Sequence, residues 1–166
     1  VERFGENVNL VVRDQAEVVY MHQVEGVHSV RMFTRLAARL PLYCTGAGKV
    51  LLIGMPKKEV IVLMGEGPYR AFTENTITTP QALYRAALQA KQLGYGVDDE
   101  ERESGVRCVA APIYDQGSKV CAALSISAPT QRLPKKQFKQ VGTELIQQAE
   151  QISARLGFIK DVAGDR

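Results

Sequence analysis

Two serines at alternate positions in "KVCAALSISA", Ser125 and Ser127, and two glycines around an alanine in "PLYCTGAGKVLL", Gly46-Ala47-Gly48, are the residues of this chain whose spacing most invites chemistry. In an extended strand, Val120, Ala122, Leu124 and Ile126 fall on one face and Cys121, Ala123, Ser125 and Ser127 on the other. The bulky face must pack on helices. The small face, if buried, leaves a void that a ligand, water or a close-packed loop must fill. Serine hydroxyls both donate and accept, which suits a carboxylate or a hydroxyl group. The alternative is a solvent-facing pair on a half-exposed strand.

Glycine costs backbone entropy, so a Gly-Ala-Gly step at the start of an apolar run implies that a ligand or another segment approaches the backbone. A helix beginning near Gly46 would aim the unpaired N–H groups of its first turn outward, where donors and dipole favour an anion. The competing reading is a tight turn that needs small residues for packing, because isolated glycine-rich steps are weak motifs.

Other chemistry is less well supported by pattern. "DDEERESGVRC" holds Asp98, Asp99, Glu100, Glu101 and Glu103, which in principle allows acid–base work but in so dense a run reads as a solvated turn. A nucleophilic enzyme would want Cys108 or Cys44 beside a histidine, and the two histidines are His22 and His28. His22 and Cys108 could meet in space, although no local signature demands it, and a free cysteine usually behaves as a small buried hydrophobe. His22, His28, Asp98 and a cysteine have the ligand chemistry for a metal, but nothing in their spacing supports a site. The sequence therefore predicts no catalysis, no metal and no cofactor.

Composition narrows the class of protein. A chain of 166 residues suits one domain, 1–166, able to bury roughly two-thirds of its unfolded surface. The formal charge is +3, with Lys and Arg scattered from Arg3 to Arg166, so the basic patch of a nucleic-acid reader is missing. The three cysteines, Cys44, Cys108 and Cys121, form no C-x-x-C pair, which argues against a disulfide framework and predicts a reducing, cytoplasmic setting. No apolar run reaches the roughly 18 residues of a membrane span, and "VERFGEN" lacks the apolar stretch of a signal peptide.

The elements that must position these residues follow from periodicity. "NVNLVVRD", "AEVVYMHQVEG" and "VHSVRMFTR" predict three consecutive antiparallel strands. "KVLLIGM" is helical in propensity, and "PKKEVIVLMG" restarts a short helix with Pro56 in its first turn. "GEGPYRAFTENTIT" reads as a loop. Thr79 and Pro80 open a helix whose apolar positions are Leu83, Ala87, Ala90 and Leu93 and which Gly94 stops. "GYGVDDE", "GVRCVAAPIYD" and "KVCAALSISA" are further strands, the last two joined through Asp115-Gln116-Gly117. Phe138, Val141, Leu145, Ala149, Ile152 and Leu156 then mark a long amphipathic helix between Pro134 and Gly157. This order predicts an α+β fold, an antiparallel sheet of about six strands with helices packed on it.

"LPLYCTGAGKVLL", "YRAFTENTIT", "LGYGVDDEERESGVRCVAAPIYD" and "AALSISAP", followed by "ISARLG", resemble in order and separation the effector-binding domain of IclR-family bacterial transcriptional regulators. The resemblance implies a GAF-like sensing domain that binds a small organic acid, forms a homodimer or homotetramer, and reaches DNA only through an N-terminal winged helix-turn-helix domain absent from this chain. It implies that the amides of Gly46 and Ala47 hold the effector's carboxylate. Asp98, Cys108, Ser125 and Ser127 match the family's polar pocket positions, and Met32, Leu40 and Val106 an apolar wall. Tyr43, Cys44, His28 and Ser29 are positions where variation with the ligand is expected. A cysteine-dependent enzyme acting on an organic acid, and a GAF-like oligomerisation module without ligand, are the competing readings. An ionised Asp98 beside a carboxylate would be repulsive unless it is protonated or binds a hydroxyl, water or its own backbone neighbours.

Overall fold

The computed structural model describes residues 1–29 and 35–159. Six strands, β1 (Asn7–Asp14), β2 (Glu17–Val24), β3 (Arg39–Pro41), β4 (Gly96–Asp99), β5 (Val106–Tyr114) and β6 (Val120–Pro129), alternate with four helices, α1 (Gly46–Leu51), α2 (Lys57–Met64), α3 (Pro80–Leu93) and α4 (Phe138–Arg155). The sheet order is β3-β2-β1-β6-β5-β4, and every neighbouring pair is antiparallel. Among the described residues no helix is long and apolar enough to cross a membrane.

Strand alternation divides the interior in two. Val11, Val18, Ala110 and Ala123 face α1, α2 and α3, where they meet Val50, Leu51, Val60 and Leu83. Val109, Ala111, Ile113, Ala122 and Ile126 face α4 and meet Val141, Leu145 and Ala149. Burying each Val, Leu or Ile contributes on the order of 1.5–3 kcal/mol, so helices on both faces are needed to close the two layers.

Helix ends follow local chemistry. The Thr79 hydroxyl accepts from the Ala82 amide at 3.3 Å, Pro80 fills the first helical position, and Gly94 ends α3 at φ +78°. Thr45 caps α1 in the same way, accepting from the Gly48 amide at 3.0 Å. Pro56 stands at the N-cap of α2, one residue before the first turn in which the sequence placed it.

Two strand assignments change. Residues 27–29 of the expected third strand lie outside any strand, residues 30–34 lie outside the described residues, and the third strand is Arg39–Pro41. It is held by pairing with Glu17, Val18 and Val19 and by the Arg39 guanidinium, which donates to Glu17 at 2.6 Å and Asp14 at 2.5 Å. On β6, Val120 packs against the α1 side rather than with Ala122, Leu124 and Ile126. The register steps from Ile113↔Ala122 to Tyr114↔Val120, so Cys121 is the extra residue of a bulge that flips the face beyond it.

Candidate functional site

Cross-strand register brings the sequence-predicted polar residues into rows. Asp98 on β4 pairs with Cys108 on β5, Cys108 with Ser127 on β6, and Ser127 with Asn7 on β1. Directly opposite residues share a face, so a carboxyl, a thiol, a hydroxyl and a carboxamide line up beneath the start of α1. The Cys108 thiol donates to the Ser127 hydroxyl at 3.0 Å. Ser125 lies in the next row, between Ala110 and Asn9, and is almost fully buried.

A cavity of about 360 Å³ opens over the first row. Asp98, Cys108 and Ser127 line it, with Leu40 and Val106 as apolar wall. Tyr20, Ala38 and Thr45 complete the walls, and Arg35, Arg102 and Glu103 bring charge. The structure thus unites five of the nine positions singled out by resemblance around one space. Gly46, Ala47 and Ser125 do not line it, and Met32 lies outside the described residues.

The glycines answer first to packing. A Cβ on Gly46 would stand 3.2 Å from the Gly96 carbonyl oxygen and 3.3 Å from both the Asp98 nitrogen and the Cys108 oxygen. A Cβ on Gly48 would lie 2.0 Å from the Leu42 oxygen, inside contact distance. Another segment is therefore what approaches both backbones, and Ala47 is part of the core at 4 % exposure. This close packing sets the head of α1 directly against Asp98 and Cys108. Its Gly48 amide is used by Thr45, while among the described residues the Gly46 and Ala47 amides have no backbone or side-chain acceptor.

The acidic run is not a solvated turn. Asp98 is 2 % exposed and Glu101 8 %. The Asp98 carboxylate accepts from the Glu101 amide at 2.7 Å. Glu101 is ion-paired with the buried Lys49, whose ammonium also reaches the Val97 carbonyl. Asp99 and Glu100 are tied by Arg107 at 2.7 and 3.1 Å. Asp98, Asp99, Glu100 and Glu101 thus fix the β4–β5 turn, each drawn in by a cation or an amide that local sequence could not disclose, while Glu103 is exposed.

Burial governs the ionisation of the site. It pushes the Asp98 carboxyl up to about 7, against the opposing hydrogen bond from the Glu101 amide. The upward shift favours the neutral carboxyl, which lessens the repulsion expected with a carboxylate ligand. Burial, reinforced by Asp98, also pushes the Cys108 thiol well above its ordinary value, and Cys44 rises to about 12 for the same primary reason. A nucleophilic cysteine needs the opposite shift. His22 pairs with Leu10, which packs on the α4 side of the sheet, so it stands across the sheet from Cys108. Among the described residues no group of three or more His, Cys, Asp or Glu could hold a metal ion.

Sequence reasoning missed Tyr20, Thr45 and Arg102. Thr45 carried a signal, since it precedes a helix as an N-cap residue. Tyr20 and Arg102 reach the cavity by tertiary packing.

A six-stranded antiparallel sheet, with a long C-terminal helix on one face and short helices over a cavity on the other, defines a GAF-like domain. The family model for the bacterial transcriptional regulator IclR C-terminal domain matches residues 1–154, and the chain belongs to that family. Over 153 residues it is 38 % identical to the HTH-type transcriptional regulator KdgR of Escherichia coli K12, covering 92 % of this chain and 58 % of the relative. It is 39 % identical over 153 residues to the HTH-type transcriptional repressor AllR of the same organism, covering 92 % and 56 %. The chain therefore spans little more than half the length of these relatives. The crystal structure of the C-terminal domain of E. coli KdgR matches with TM-score 0.82 at 36 % identity, covering 93 % of this chain and 89 % of that one. The inducer-binding domain of Acinetobacter PobR, solved as a double mutant in complex with 3-hydroxybenzoic acid, matches with TM-score 0.82 at 26 % identity, covering 92 % and 90 %.

Proposed function

We propose that residues 1–166 form a single effector-binding domain that senses a small organic acid in the cytoplasm without chemical turnover. The observation that carries this reading is the row Asp98, Cys108 and Ser127 along a cavity of about 360 Å³ at the head of α1. That volume is within the usual range for small-molecule sites, roughly 300–1,000 Å³. The acid's carboxylate takes the hydroxyl of Ser127 and is directed toward the amides of Gly46 and Ala47, which with Ser125 stand behind the cavity lining. Asp98 in its protonated form donates a further hydrogen bond, and Leu40 and Val106 cover the carbon skeleton. The PobR complex supports an acid ligand in this fold, and the KdgR and AllR relatives support a role in transcriptional control.

Binding biases the arrangement of a homodimer or homotetramer and, through it, the DNA-binding part of the full-length regulator. A thiol enzyme is disfavoured by the raised Cys108 pKa and by the position of His22. A thermal-shift and calorimetric screen of small organic acids tests the proposal. A ligand at 100 times its Kd raises native stability by about 2.7 kcal/mol, enough to move the melting temperature by several degrees. Saturable binding without product formation is the expected result. A panel that leaves the melting temperature unmoved overturns the sensor reading in favour of an oligomerisation module, and turnover of a bound acid overturns it in favour of an enzyme.

A further inference from the structure

The cavity carries two cations that take no part in the proposed acid contacts, Arg35 and Arg102. Arg102 lays its guanidinium over the Phe72 ring, with 4.1 Å from carbon to centroid, and Phe72 stacks in turn near Tyr43 at 6.3 Å and 18°. The loop bearing Phe72 is fastened to the β4–β5 turn bearing Arg102. Thr73 and Thr76 hydroxyls donate to the Glu100 and Glu101 carbonyls, each at 2.6 Å, and the Asn75 amide donates to the Asp99 carbonyl at 3.3 Å. Ring and guanidinium are therefore held as one unit. A guanidinium fixed against an aromatic face loses little rotamer freedom when it forms a bidentate contact.

What this unit lacks is a partner. The Nε of Arg102 is buried without a hydrogen-bond acceptor, and among the described residues its guanidinium forms no ion pair. A buried charged donor left unsatisfied is costly. Of the other charged groups on the cavity, Arg35 and Glu103 are exposed and opposite in sign. The guanidinium shares one cavity with Asp98, Cys108 and Ser127.

We propose that Arg102 reads a second oxyanion on the effector, so that the ligand class is a short dicarboxylic acid, one carboxylate at the head of α1 and the other on the Arg102 guanidinium. This deepens the acid-sensor reading and rests on it. Two parallel N–H···O bonds from a guanidinium to a carboxylate are stronger than a bond to a neutral oxygen.

Calorimetric titration of the purified chain with butyrate, 4-hydroxybutyrate and succinate, and with valerate and glutarate, tests the assignment. At least one dicarboxylate is expected to bind ten-fold or more tighter than its monocarboxylate of equal length and tighter than the hydroxy acid. Arg102→Gln is expected to remove that preference, lowering dicarboxylate affinity at least ten-fold and monocarboxylate affinity by a smaller factor. Phe72→Leu, which keeps the charge and removes its platform, is expected to reduce the preference partway and serves if Arg102→Gln fails to fold. Monocarboxylates that bind as tightly as dicarboxylates, 4-hydroxybutyrate that equals succinate, or a preference that survives in the variants each overturn this assignment while leaving the acid-sensor reading intact. Absence of binding by both series, with other organic acids of the wider screen also silent, overturns the two together.

Discussion

The two faces of β6 are built from one ten-residue stretch and serve opposite ends. Toward α4, Ala122, Ile126 and Ala128 close against Val141, Leu145 and Ala149 into an apolar layer. Toward α1, Ala123 joins the core, but Ser125 and Ser127 replace bulk with hydroxyls, and the neighbouring strands add Asp98, Cys108, Asn7 and Asn9. Both sides are packed, but the α1 side also holds polar groups that a wholly apolar interior would not admit. The sheet tolerates this because the polar side is tied by specific bonds, chief among them the Lys49–Glu101 pair.

That tie is where the comparison breaks most severely. Lys49→Met leaves Glu101 buried without its cation, a loss expected to cost about 3–5 kcal/mol, measured as a lowered midpoint of urea unfolding. Adding Glu101→Gln is expected to restore most of the loss, since the penalty arises from the unpaired charge. A single variant as stable as the parent would show that the β4–β5 turn does not depend on the pair.

On the dry face, Leu145→Ala removes a side chain that is 3 % exposed and is expected to cost about 3 kcal/mol, with effector affinity unchanged once the protein is folded. A large change in affinity with unchanged stability would mean that the two faces are not separable in the way described.

The third test concerns Asp98, whose carboxyl is raised from 3.8 to about 7 in the folded chain. A proton held more tightly in the native than in the unfolded state stabilises the fold at low pH, and the benefit is lost as pH rises from about 4 through 7. Asp98→Asn keeps an acceptor for the Glu101 amide but cannot ionise. The variant is expected to lack a decline in stability on the order of 4 kcal/mol between pH 4 and 8 that the parent shows. Identical pH profiles of unfolding free energy would contradict the burial assigned to this carboxyl.

What the residues disclosed in advance were the features with local causes. Thr79, Pro80 and Gly94 bound α3 by their own side-chain and backbone preferences, and the apolar stripe of α4 needs no partner to be visible. The strand Arg39–Pro41 was hidden because its place is set by residues more than twenty positions earlier, Asp14 and Glu17. The face of Val120 was misread because a bulge at Cys121 breaks the alternation. Gly46 and Gly48 announced a close approach, but only the fold reveals that Gly96, Asp98, Cys108 and Leu42 are what approaches. Asp98, Cys108, Ser127, Leu40 and Val106 were reached by family resemblance and do share one cavity. Arg102 was invisible in an acidic run because its role depends on Phe72, thirty residues away in sequence.

Ser127→Ala is the smallest perturbation and separates the faces most sharply. The hydroxyl accepts from the Cys108 thiol at 3.0 Å, and a thiol is a weak donor whose orphaning costs little. Removing one oxygen beside an existing cavity also creates little new void, so the change in unfolding free energy is expected to stay within about 1 kcal/mol. Binding should respond more. A hydrogen bond to a charged group contributes about 1.5–3 kcal/mol, and losing it should weaken the best-binding acid of the screen by roughly ten-fold or more, about 1.4 kcal/mol per ten-fold in Kd. Leu145→Ala should show the reverse pattern, large in stability and small in affinity. If Ser127→Ala instead unfolds the domain while the folded fraction binds as tightly as the parent, the hydroxyl belongs to the architecture of the sheet, and the polar face is a variant of the core rather than a site.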